Sequence, residues 1–359
     1  MTCARIAVIG TGWWSAQFHL PALLADPRAE VVALVDTNPQ KLALAAEAFG
    51  VHRTYASTAE LLAAGGVDGV VIAVPHRWHF EAAHAALDAG VHVLVEKPMV
   101  LHTDEAWRLV DLAAERGLHL VVGYTFHFTR HTRAARDLVA SGRLGEIRLV
   151  SGLYSSVVES FLRGVPADGA EELRFPPTGP DASTYSDPAI AGGGQGQTQV
   201  THAMANVLHV TGLRAASVTA HMRSFGLRVD LADAISYELA GGAIGTMASV
   251  GSVRPGQPTQ QEFRYYGSDG LLLQDLAGGR LAAWFNDGTS QIWEDLREQE
   301  IYPADATAAC LVDLICGGTH NPAPGELGAR TVEFLAAAYR SAASGGVPVT
   351  VATGGGPVS

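Results

Sequence analysis

Five short apolar runs alternate with helix-like segments over about the first 120 residues, and this rhythm constrains the fold more than any other feature. The runs are rich in β-branched residues and occupy residues 5–9, 30–35, 69–74, 91–96 and 119–123. The segments between them have helical spacing, with Pro39 suited to a first helical turn and Ser57 or Thr58 suited to an N-cap. Strict alternation of strands and helices predicts a doubly wound α/β domain with a parallel sheet.

The pattern changes after Gly123. A helix, an alternating strand, a long loop rich in proline and glycine, and another helix are predicted next, at 133–141, 147–158, 163–194 and 198–211. Successive strand-like runs without helices between them follow and predict a mostly antiparallel sheet: 217–225, 233–240, 244–250, 261–266, 270–273 and 281–285. Two helices and a last strand complete the second domain, at 305–316, 327–343 and 347–351. We expect domains at 1–124 and 125–351 and a disordered tail at 352–359.

Charge and hydropathy exclude several classes of partner. The 359 residues carry 36 acidic against 24 basic side chains, a formal net charge of −12, so we expect neither a nucleic-acid nor an anionic membrane surface. No run reaches the roughly 18 apolar residues that a membrane span needs. The strand pattern starts at Arg5, so we expect no secretory signal and a cytoplasmic protein. Cys3, Cys310 and Cys316 lack metal-ligand spacing, which predicts no metal site, and the last two fall in an apolar run typical of buried reduced thiols.

A glycine motif directly follows the first predicted strand and precedes a helix. Gly10 permits the tight turn, Gly12 lets the backbone approach a pyrophosphate, and Ser15 allows close packing of helix and strand. The helix N-terminus would supply free N–H groups to the phosphates. Asp36 ends the second strand, where a carboxylate accepts hydrogen bonds from ribose hydroxyls. The alternative is an ordinary βα turn in which Asp36 only caps the next segment.

Asp36 also bears on the choice of cofactor. A carboxylate at this position repels a 2′-phosphate, and no arginine follows in residues 37–40, so that Lys41 is the nearest cation. We therefore predict NAD(H) rather than NADP(H).

Several motifs together resemble the Gfo/Idh/MocA oxidoreductases, which include glucose–fructose oxidoreductase and inositol dehydrogenase. They are the glycine motif VIGTGWWSA, the stretch Ala73-Val74-Pro75 followed by His79, and Glu96-Lys97-Pro98 at the end of the fifth strand. The resemblance implies an N-terminal Rossmann domain, a C-terminal α+β domain with a large mostly antiparallel sheet, and hydride transfer on sugars or cyclitols. It also implies homodimers or homotetramers formed through that sheet. The cofactor-binding positions that it implies are Gly10, Gly12, Trp13, Trp14, Asp36, Thr37, Val74, Pro75, His79, Glu96 and Lys97.

Lys97 is the first catalytic candidate. Oxidation of an alcohol with NAD needs a base for the hydroxyl proton, and a nearby cation stabilises the developing alkoxide. Lys97 follows a strand at its carboxyl end, where ligands bind in open α/β sheets, and burial beside the nicotinamide would lower its pKa. The alternative is a solvated surface lysine.

His202 is the second catalytic candidate. In the family, a triple glycine leads into a helix that carries an Asp and, four residues later, a His. Here the glycines are residues 192–194 and the histidine is His202, but Thr198 replaces the Asp and Val200 replaces a glycine. Threonine cannot act as a base near neutral pH. Two hypotheses follow. In the first, Lys97 and His202 share the proton transfer; in the second, the site has lost dehydrogenase chemistry.

Further substrate contacts are expected around this helix. In the first hypothesis, Gln195, Gln197, Thr198 and His202 bind the hydroxyls of a polyol, although polar residues at a helix entry also often face water. Tyr154 lies on the first strand of the second domain and would contact substrate if it faces inward. Weaker candidates are His127, near the cofactor, and three residues that could cover a substrate from the long loop, which are Asp181, Tyr185 and Asp187.

The function predicted from these residues is an NAD-dependent dehydrogenase or reductase acting at a ring secondary alcohol of a sugar, glycoside or cyclitol. A catalytically silent NAD-binding regulator of the same superfamily is the alternative, and a third is a dehydrogenase that keeps its NAD bound between turnovers.

Overall fold

The computed structural model describes residues 4–165, 177, 179–352 and 354. Cys3, residues 166–176 and 178 of the predicted long loop, and most of the predicted tail lie outside them. The chain forms two compact units. The first contains Met1–Gly123, Gly164–Gly192 and Ala304–Ala329, and the second contains Tyr124–Arg163, Gly193–Pro303 and Arg330–Ser359. The predicted domain bounds, 1–124 and 125–351, stay a prediction.

The described residues form fifteen strands. In chain order they are β1 (Ala4–Ile9), β2 (Ala29–Val35), β3 (Thr54–Tyr55), β4 (Gly69–Ile72), β5 (His92–Val95), β6 (Leu120–Val122), β7 (Ile147–Ser155), β8 (Ala215–Arg223), β9 (Ala232–Leu239), β10 (Ile244–Val250), β11 (Gln261–Gly267), β12 (Gly270–Asp275), β13 (Arg280–Phe285), β14 (Ser290–Ile292) and β15 (Val349–Thr350).

The same residues form thirteen α-helices. They are α1 (Leu20–Ala25), α2 (Pro39–Phe49), α3 (Thr58–Ala64), α4 (His79–Asp88), α5 (Thr103–Arg116), α6 (Arg130–Ala140), α7 (Glu159–Arg163), α8 (Ala182–Ser186), α9 (Pro188–Ala191), α10 (Thr201–Thr211), α11 (Glu298–Ile301), α12 (Ala306–Ile315) and α13 (Gly325–Ala343). Wide π-helical turns precede α1, at Ser15–His19, and α10, at Gly196–Val200. None of the helices in the described part of the chain is both long and apolar enough to cross a membrane.

The first unit contains the predicted parallel sheet. Its strand order is β3-β2-β1-β4-β5-β6, and all neighbours run parallel, which confirms the doubly wound Rossmann fold. Both faces are covered, so the strand residues Ile6, Leu34 and Ile72 have no exposed surface. Burying each such side chain stabilises the fold by about 1.5–3 kcal/mol. The chain order reverses between β1 and β4, which opens a crevice at the carboxyl ends of these strands.

The second unit contains a nine-stranded sheet in the order β14-β13-β12-β11-β7-β10-β9-β8-β15. All pairs are antiparallel except β7 with β10, so the sheet is mostly antiparallel as predicted. Side chains alternate between a buried and an exposed face. On β13, Leu281, Ala283 and Phe285 are buried while Trp284 is exposed. One face therefore builds the core of this unit and the other carries exposed apolar residues.

Three local expectations differ from the structure. The two-residue strand β3 has no apolar run and was not predicted, and the short strand β14 was also missed. The described part of the predicted loop 163–194 contains the helices α8 and α9, and Asp187 caps the second of them. Cys310 is buried as expected, but Cys316 is exposed, because it lies at the C-cap of α12 rather than on the buried face of that helix.

Candidate active site

The glycine turn lies at the carboxyl end of β1. Gly10 has a φ of 93°, and a Cβ atom there would lie 2.6 Å from the carbonyl oxygen of Ala73 and 3.0 Å from the nitrogen of Val74. Only glycine fits this turn. The Ser15 hydroxyl donates a hydrogen bond to the Gly10 carbonyl oxygen at 2.5 Å and so ties the turn to the following helical segment. At Gly12 no atom of the described residues lies within 4 Å of the position of a Cβ, which leaves the backbone open to a ligand.

Asp36 lies at the carboxyl end of the neighbouring strand β2, and its carboxylate is held by three donors. The backbone N–H and the hydroxyl of Thr11 each donate to Oδ2 at 2.8 Å, and the backbone N–H of Asn38 donates to Oδ1 at 2.8 Å. Thr37 is exposed beside it. Thr11 belongs to the glycine turn, so the two predicted elements of a dinucleotide site are joined directly.

Aromatic rings follow the glycine turn. Trp13 and Trp14 meet edge to face with ring centroids 5.5 Å apart, and Trp14 lies 4.3 Å from the ring of Phe18. All three side chains are partly exposed. They form an apolar surface beside the turn.

Glu96 connects this surface to the predicted catalytic lysine. The indole N–H of Trp14 donates to Oε1 of Glu96 at 2.9 Å, and Nε2 of His19 lies 2.8 Å from the same oxygen. The backbone N–H of Lys97 donates to Oε2 at 3.2 Å. Burial alone would raise the pKa of Glu96, but the hydrogen bond with His19 and the charge of Lys97 outweigh it and hold this pKa below its usual value. Glu96 is therefore an ionised, immobilised carboxylate.

Lys97 follows β5 at the same edge of the sheet, and its peptide bond to Pro98 is cis. Desolvation lowers the pKa of Lys97, and the neighbouring Glu96 carboxylate offsets part of this shift. The chain has only two lysines, Lys41 and Lys97, and all its other cationic side chains except histidines are arginines. Because arginine does not lose its proton in proteins, Lys97 differs from the arginines of this chain in being able to exchange a proton.

His79 is the first residue of α4 and is buried. Its Nδ1 lies 2.8 Å from the carbonyl oxygen of Pro98, and its Nε2 lies 2.8 Å from that of Val74, the residue before Pro75. Burial lowers the pKa of His79, and the two carbonyl contacts offset part of the effect. Both ring nitrogens are engaged by the backbone, which favours a role in holding the ends of β4 and β5 together. A direct contact of His79 with a cofactor stays a prediction.

In the second unit, the glycines before α10 are held by Asp230. Its carboxylate accepts hydrogen bonds from the backbone N–H of Gly194 at 2.8 Å and of Gly196 at 2.7 Å. The hydroxyl of Tyr339, on α13, donates to it at 2.9 Å. A Cβ on Gly194 would lie 2.0 Å from the carbonyl oxygen of Asp230, so no larger residue fits. These hydrogen bonds to Asp230 fix the backbone that leads into the helix carrying His202.

The polar residues at this entry have different surroundings. The Gln195 amide is buried, lies 3.2 Å from the Ser156 hydroxyl and donates to the Ser249 hydroxyl at 2.9 Å. Oε1 of Gln197 is buried and has no hydrogen-bond partner among the described residues, which makes it an acceptor available to a ligand. The hydroxyl of Thr198 donates to the Gly194 carbonyl oxygen at 2.8 Å. The structure thus favours Gln197 over Gln195 as a substrate contact, and all three contacts stay predictions.

His202 lies in the first turn of α10 and is almost fully buried. The rings of Tyr124 and Phe126 meet it edge to face at 6.3 and 6.0 Å. Tyr154 faces inward and is buried, and its carbonyl oxygen accepts a hydrogen bond from the same Ser249 hydroxyl that contacts Gln195. Tyr154 and the helix entry are therefore neighbours within this unit.

Two weaker candidates are also located. His127 stacks on His209 at 4.4 Å within the second unit. Tyr185 belongs to the first unit, where its ring lies 5.4 Å from that of His76. The predicted convergence of Lys97 with His202 involves both units and stays a prediction.

The residues of the first unit fit a dinucleotide. An open backbone at Gly12, a glycine turn that only Gly10 permits, and a fixed carboxylate at the end of β2 provide the contacts that a pyrophosphate and a ribose require. They lie beside the crevice between β1 and β4.

Comparison with protein families agrees with this geometry. Residues 4–124 match the oxidoreductase family with an NAD-binding Rossmann fold, and residues 132–273 match the GFO/IDH/MocA C-terminal domain. The chain belongs to the Gfo/Idh/MocA family. Its first domain is therefore an NAD-binding Rossmann domain.

Individual relatives differ in their reactions. The dTDP-3,4-didehydro-2,6-dideoxy-alpha-D-glucose 3-reductase of Streptomyces violaceoruber is 36% identical over 172 residues, which are 48% of this chain and 47% of that protein. The NADP(+) D-xylose 1-dehydrogenase of Haloarcula marismortui is 32% identical over 165 residues, or 45% of each protein. The chain spans about half the length of the curated relatives it matches.

Solved structures of this family are similar over nearly the whole chain. GenD2 from gentamicin A biosynthesis, in complex with NAD, is 28% identical and has a TM-score of 0.80, covering 98% of this chain and 97% of GenD2. An inositol dehydrogenase homologue from Azotobacter vinelandii, complexed with NAD+, has a TM-score of 0.80 over 97% of each chain, but at 23% identity it shows the fold alone.

Sequence reasoning missed the residues that hold the site together. Thr11 lies between the two glycines of the motif, and its hydroxyl could have been recognised as a partner for Asp36. No local sequence pattern indicates the roles of His19, Asp230 and Tyr339, because their hydrogen-bond partners are 34 to 109 residues away in sequence.

Proposed function

We propose that this protein is an NAD-dependent oxidoreductase that transfers hydride at a ring secondary alcohol of a sugar, glycoside or cyclitol. The observation that carries the proposal is the pair Glu96–Lys97 at the carboxyl end of β5, on the sheet edge that also carries the glycine turn and Asp36. An ionised glutamate fixed by three donors and a lysine with a lowered pKa form an acid–base group that a purely structural strand end does not need.

In this proposal, different residues bind the cofactor, transfer the proton and hold the substrate. Gly10 and Gly12 approach the pyrophosphate, and Asp36 accepts hydrogen bonds from the adenosine ribose. When bound, NAD supplies the hydride acceptor and NADH the hydride donor. Nζ of Lys97 accepts the proton of the substrate hydroxyl during oxidation and returns it to the carbonyl oxygen during reduction. Glu96 stabilises the ammonium that forms, and His202 shares the proton transfer with Lys97. Gln197 and His202 also hold neighbouring hydroxyls of the substrate.

NAD rather than NADP is proposed as the cofactor because of Asp36. Its carboxylate is held in place by Thr11 and Asn38 and cannot swing away from a 2′-phosphate. The names of similar proteins include one NADP(+) enzyme and one complex with NAD, so the proposal depends on Asp36 and not on the comparisons.

A catalytically silent NAD-binding regulator is the second candidate. The observation that favours it is Thr198, which stands at the position of the family aspartate. Its hydroxyl donates to the Gly194 carbonyl oxygen, four residues earlier in the chain. Such a protein would bind NAD(H) and show no turnover with any polyol.

One experiment separates the two candidates. Reduction of NAD+ is followed by absorbance with a panel of pyranosides and inositols, and binding of NADH is measured separately by its fluorescence. The wild-type protein should bind NADH and turn over at least one class of polyol. Lys97→Arg keeps a positive charge but cannot act as a base, so it should lower turnover by about 10²- to 10⁴-fold while NADH still binds. Unchanged turnover in this variant would remove Lys97 from the proposed role, and NADH binding without turnover of any compound would favour the regulator.

We also propose that the protein is a homodimer or homotetramer assembled through the exposed face of the nine-stranded sheet. This face carries Trp284, which is 43% exposed, and Ile244, which is 53% exposed. Trp284 pairs with Leu271 on β12, and Ile244 pairs with Leu149 on β7, so apolar residues recur across the face. Trp284→Glu should reduce the mass measured by light scattering. Phe225→Glu, at an exposed residue just after β8, is the control that should leave it unchanged.

A further inference from the structure

The first unit contains a segment that comes from far along the chain. Residues 179–192, here named the strap, contain α8 and α9 and belong to the same compact unit as the Rossmann sheet. Nδ1 of His76 lies 2.9 Å from the carbonyl oxygen of Ala191 at one end of the strap. At the other end, the carboxylate of Asp181 forms an ion pair with the ammonium of Lys41. The strap is therefore attached at both ends to elements that follow strands of the sheet.

Lys41 occupies the place where a 2′-phosphate would need a cation. It lies in the first turn of α2, five residues after Asp36, and no other lysine or arginine occurs in residues 36–41. A phosphate next to the ribose can be held by such a cation or by free N–H groups at the helix N-terminus.

Two backbone N–H groups at the N-terminus of α2 already donate to a side chain of the protein. Oδ1 of Asn38 accepts hydrogen bonds from the backbone N–H of Gln40 at 3.0 Å and of Lys41 at 3.1 Å. The ammonium of Lys41 is the cation of this turn that could attract a phosphate, and its charge is neutralised by Asp181. Asp181 thereby adds to the repulsion that Asp36 exerts.

We propose that Asp181, on the strap, is a specificity-determining residue that disfavours a 2′-phosphorylated dinucleotide by neutralising Lys41. The inference rests on the dinucleotide site of the proposed function and adds to it a residue 145 positions after Asp36. The exposure of the pair, 20% for the Lys41 side chain and 63% for that of Asp181, is compatible with this role, because a phosphate approaching from solvent would meet both charges.

The test measures the dissociation constants of NADH and NADPH by nicotinamide fluorescence at low ionic strength, without any substrate. Asp181→Asn removes one charge and keeps a residue that is favourable at a helix N-cap, so folding should be retained. We expect it to tighten NADPH binding by roughly 1.5- to fivefold, the range of an exposed ion pair, and to leave NADH binding unchanged. High salt should reduce the gain, because it screens exposed charges.

Two further variants make the result specific. Glu47→Gln removes the same charge from an exposed position further along α2 and should leave the ratio of the two constants unchanged. Lys41→Met should abolish the effect of Asp181→Asn when the two are combined. An unchanged ratio in Asp181→Asn, or an effect that persists without Lys41, would overturn the assignment of Asp181. Wild-type protein that binds neither nucleotide would instead overturn the proposed dinucleotide site itself.

Discussion

Replacement of Asp230 by alanine should destabilise the second unit, and the effect should be greatest at the glycine turn before α10. Three hydrogen bonds to a charged, nearly buried carboxylate are lost, from Gly194, Gly196 and Tyr339. Hydrogen bonds to charged groups contribute about 1.5–3 kcal/mol each, and the two backbone N–H groups would be left without acceptors. Asp230→Ala also removes a negative charge close to Asp233, which offsets part of the loss. The net cost should be about 4 kcal/mol.

Two milder substitutions at the same hydrogen-bond network should have smaller effects. Asp230→Asn keeps one acceptor and should cost about 2 kcal/mol, and Tyr339→Phe should cost about 1–2 kcal/mol because it removes a single hydroxyl. The loss of each backbone hydrogen bond should also speed amide exchange in residues 193–200 by about 10- to 100-fold, since 1.4 kcal/mol corresponds to a factor of ten.

Hydrogen–deuterium exchange with peptide resolution, together with thermal unfolding, measures both quantities. Asp275→Asn is the matched control, because Asp275 also accepts a backbone N–H, from Gly278 at 2.8 Å, in another part of the second unit. It should lower the thermal midpoint without changing exchange in residues 193–200. Asp230→Ala with a cost below about 1 kcal/mol and unchanged exchange in 193–200 would refute the reasoning.

Three further predictions concern charge and packing. Glu96 raises the pKa of Lys97, so Glu96→Gln should shift the acid limb of kcat/KM for alcohol oxidation to lower pH; a shift to higher pH would contradict the proposed roles. Burial, and then the charge of Asp230, raise the pKa of Asp233 in the folded chain, so the stabilisation from its proton is complete below about pH 4 and is lost as the pH rises through the folded-state pKa. The gain in thermal midpoint from Asp233→Asn should therefore increase with pH, and a pH-independent difference would argue against it. Gly123→Ala would place a Cβ 2.7 Å from the Glu96 carboxylate and should cost about 1–3 kcal/mol in thermal or chemical unfolding.

The Rossmann sheet was predictable because its strands are apolar on both faces. Ile6, Leu34 and Ile72 lie in runs that contain few polar residues, so strand position can be recognised without knowledge of the partner strands. The two residues of β3 form no such run, and their pairing with β2 depends on where the chain returns after α2. In the second sheet the strands alternate, so their presence could be predicted, but the parallel pairing of β7 with β10 depends on topology alone.

The candidate site was predictable only where function constrains neighbouring residues. Gly10, Gly12 and Asp36 have a spacing that follows from the geometry of a βα turn and the strand beside it. Asp230 and Tyr339 are 109 residues apart, and nothing in either local sequence indicates that both surround the same glycine turn. Their roles depend on the register of β9 and the placement of α13, which sequence patterns do not encode.

The first unit is built from three separate segments of the chain, and this has a consequence for synthesis on the ribosome. The chain passes between the two units at residues 123/124, 163/164, 192/193, 303/304 and 329/330. The backbone N–H of Val122, on the edge strand β6, donates to the carbonyl oxygen of Ala323 at 2.8 Å, about 200 residues later. A nascent chain that ends before this point leaves that strand edge open to pairing with other chains. Neither unit can be cloned as one continuous fragment, and a chimera that exchanges them would need five junctions.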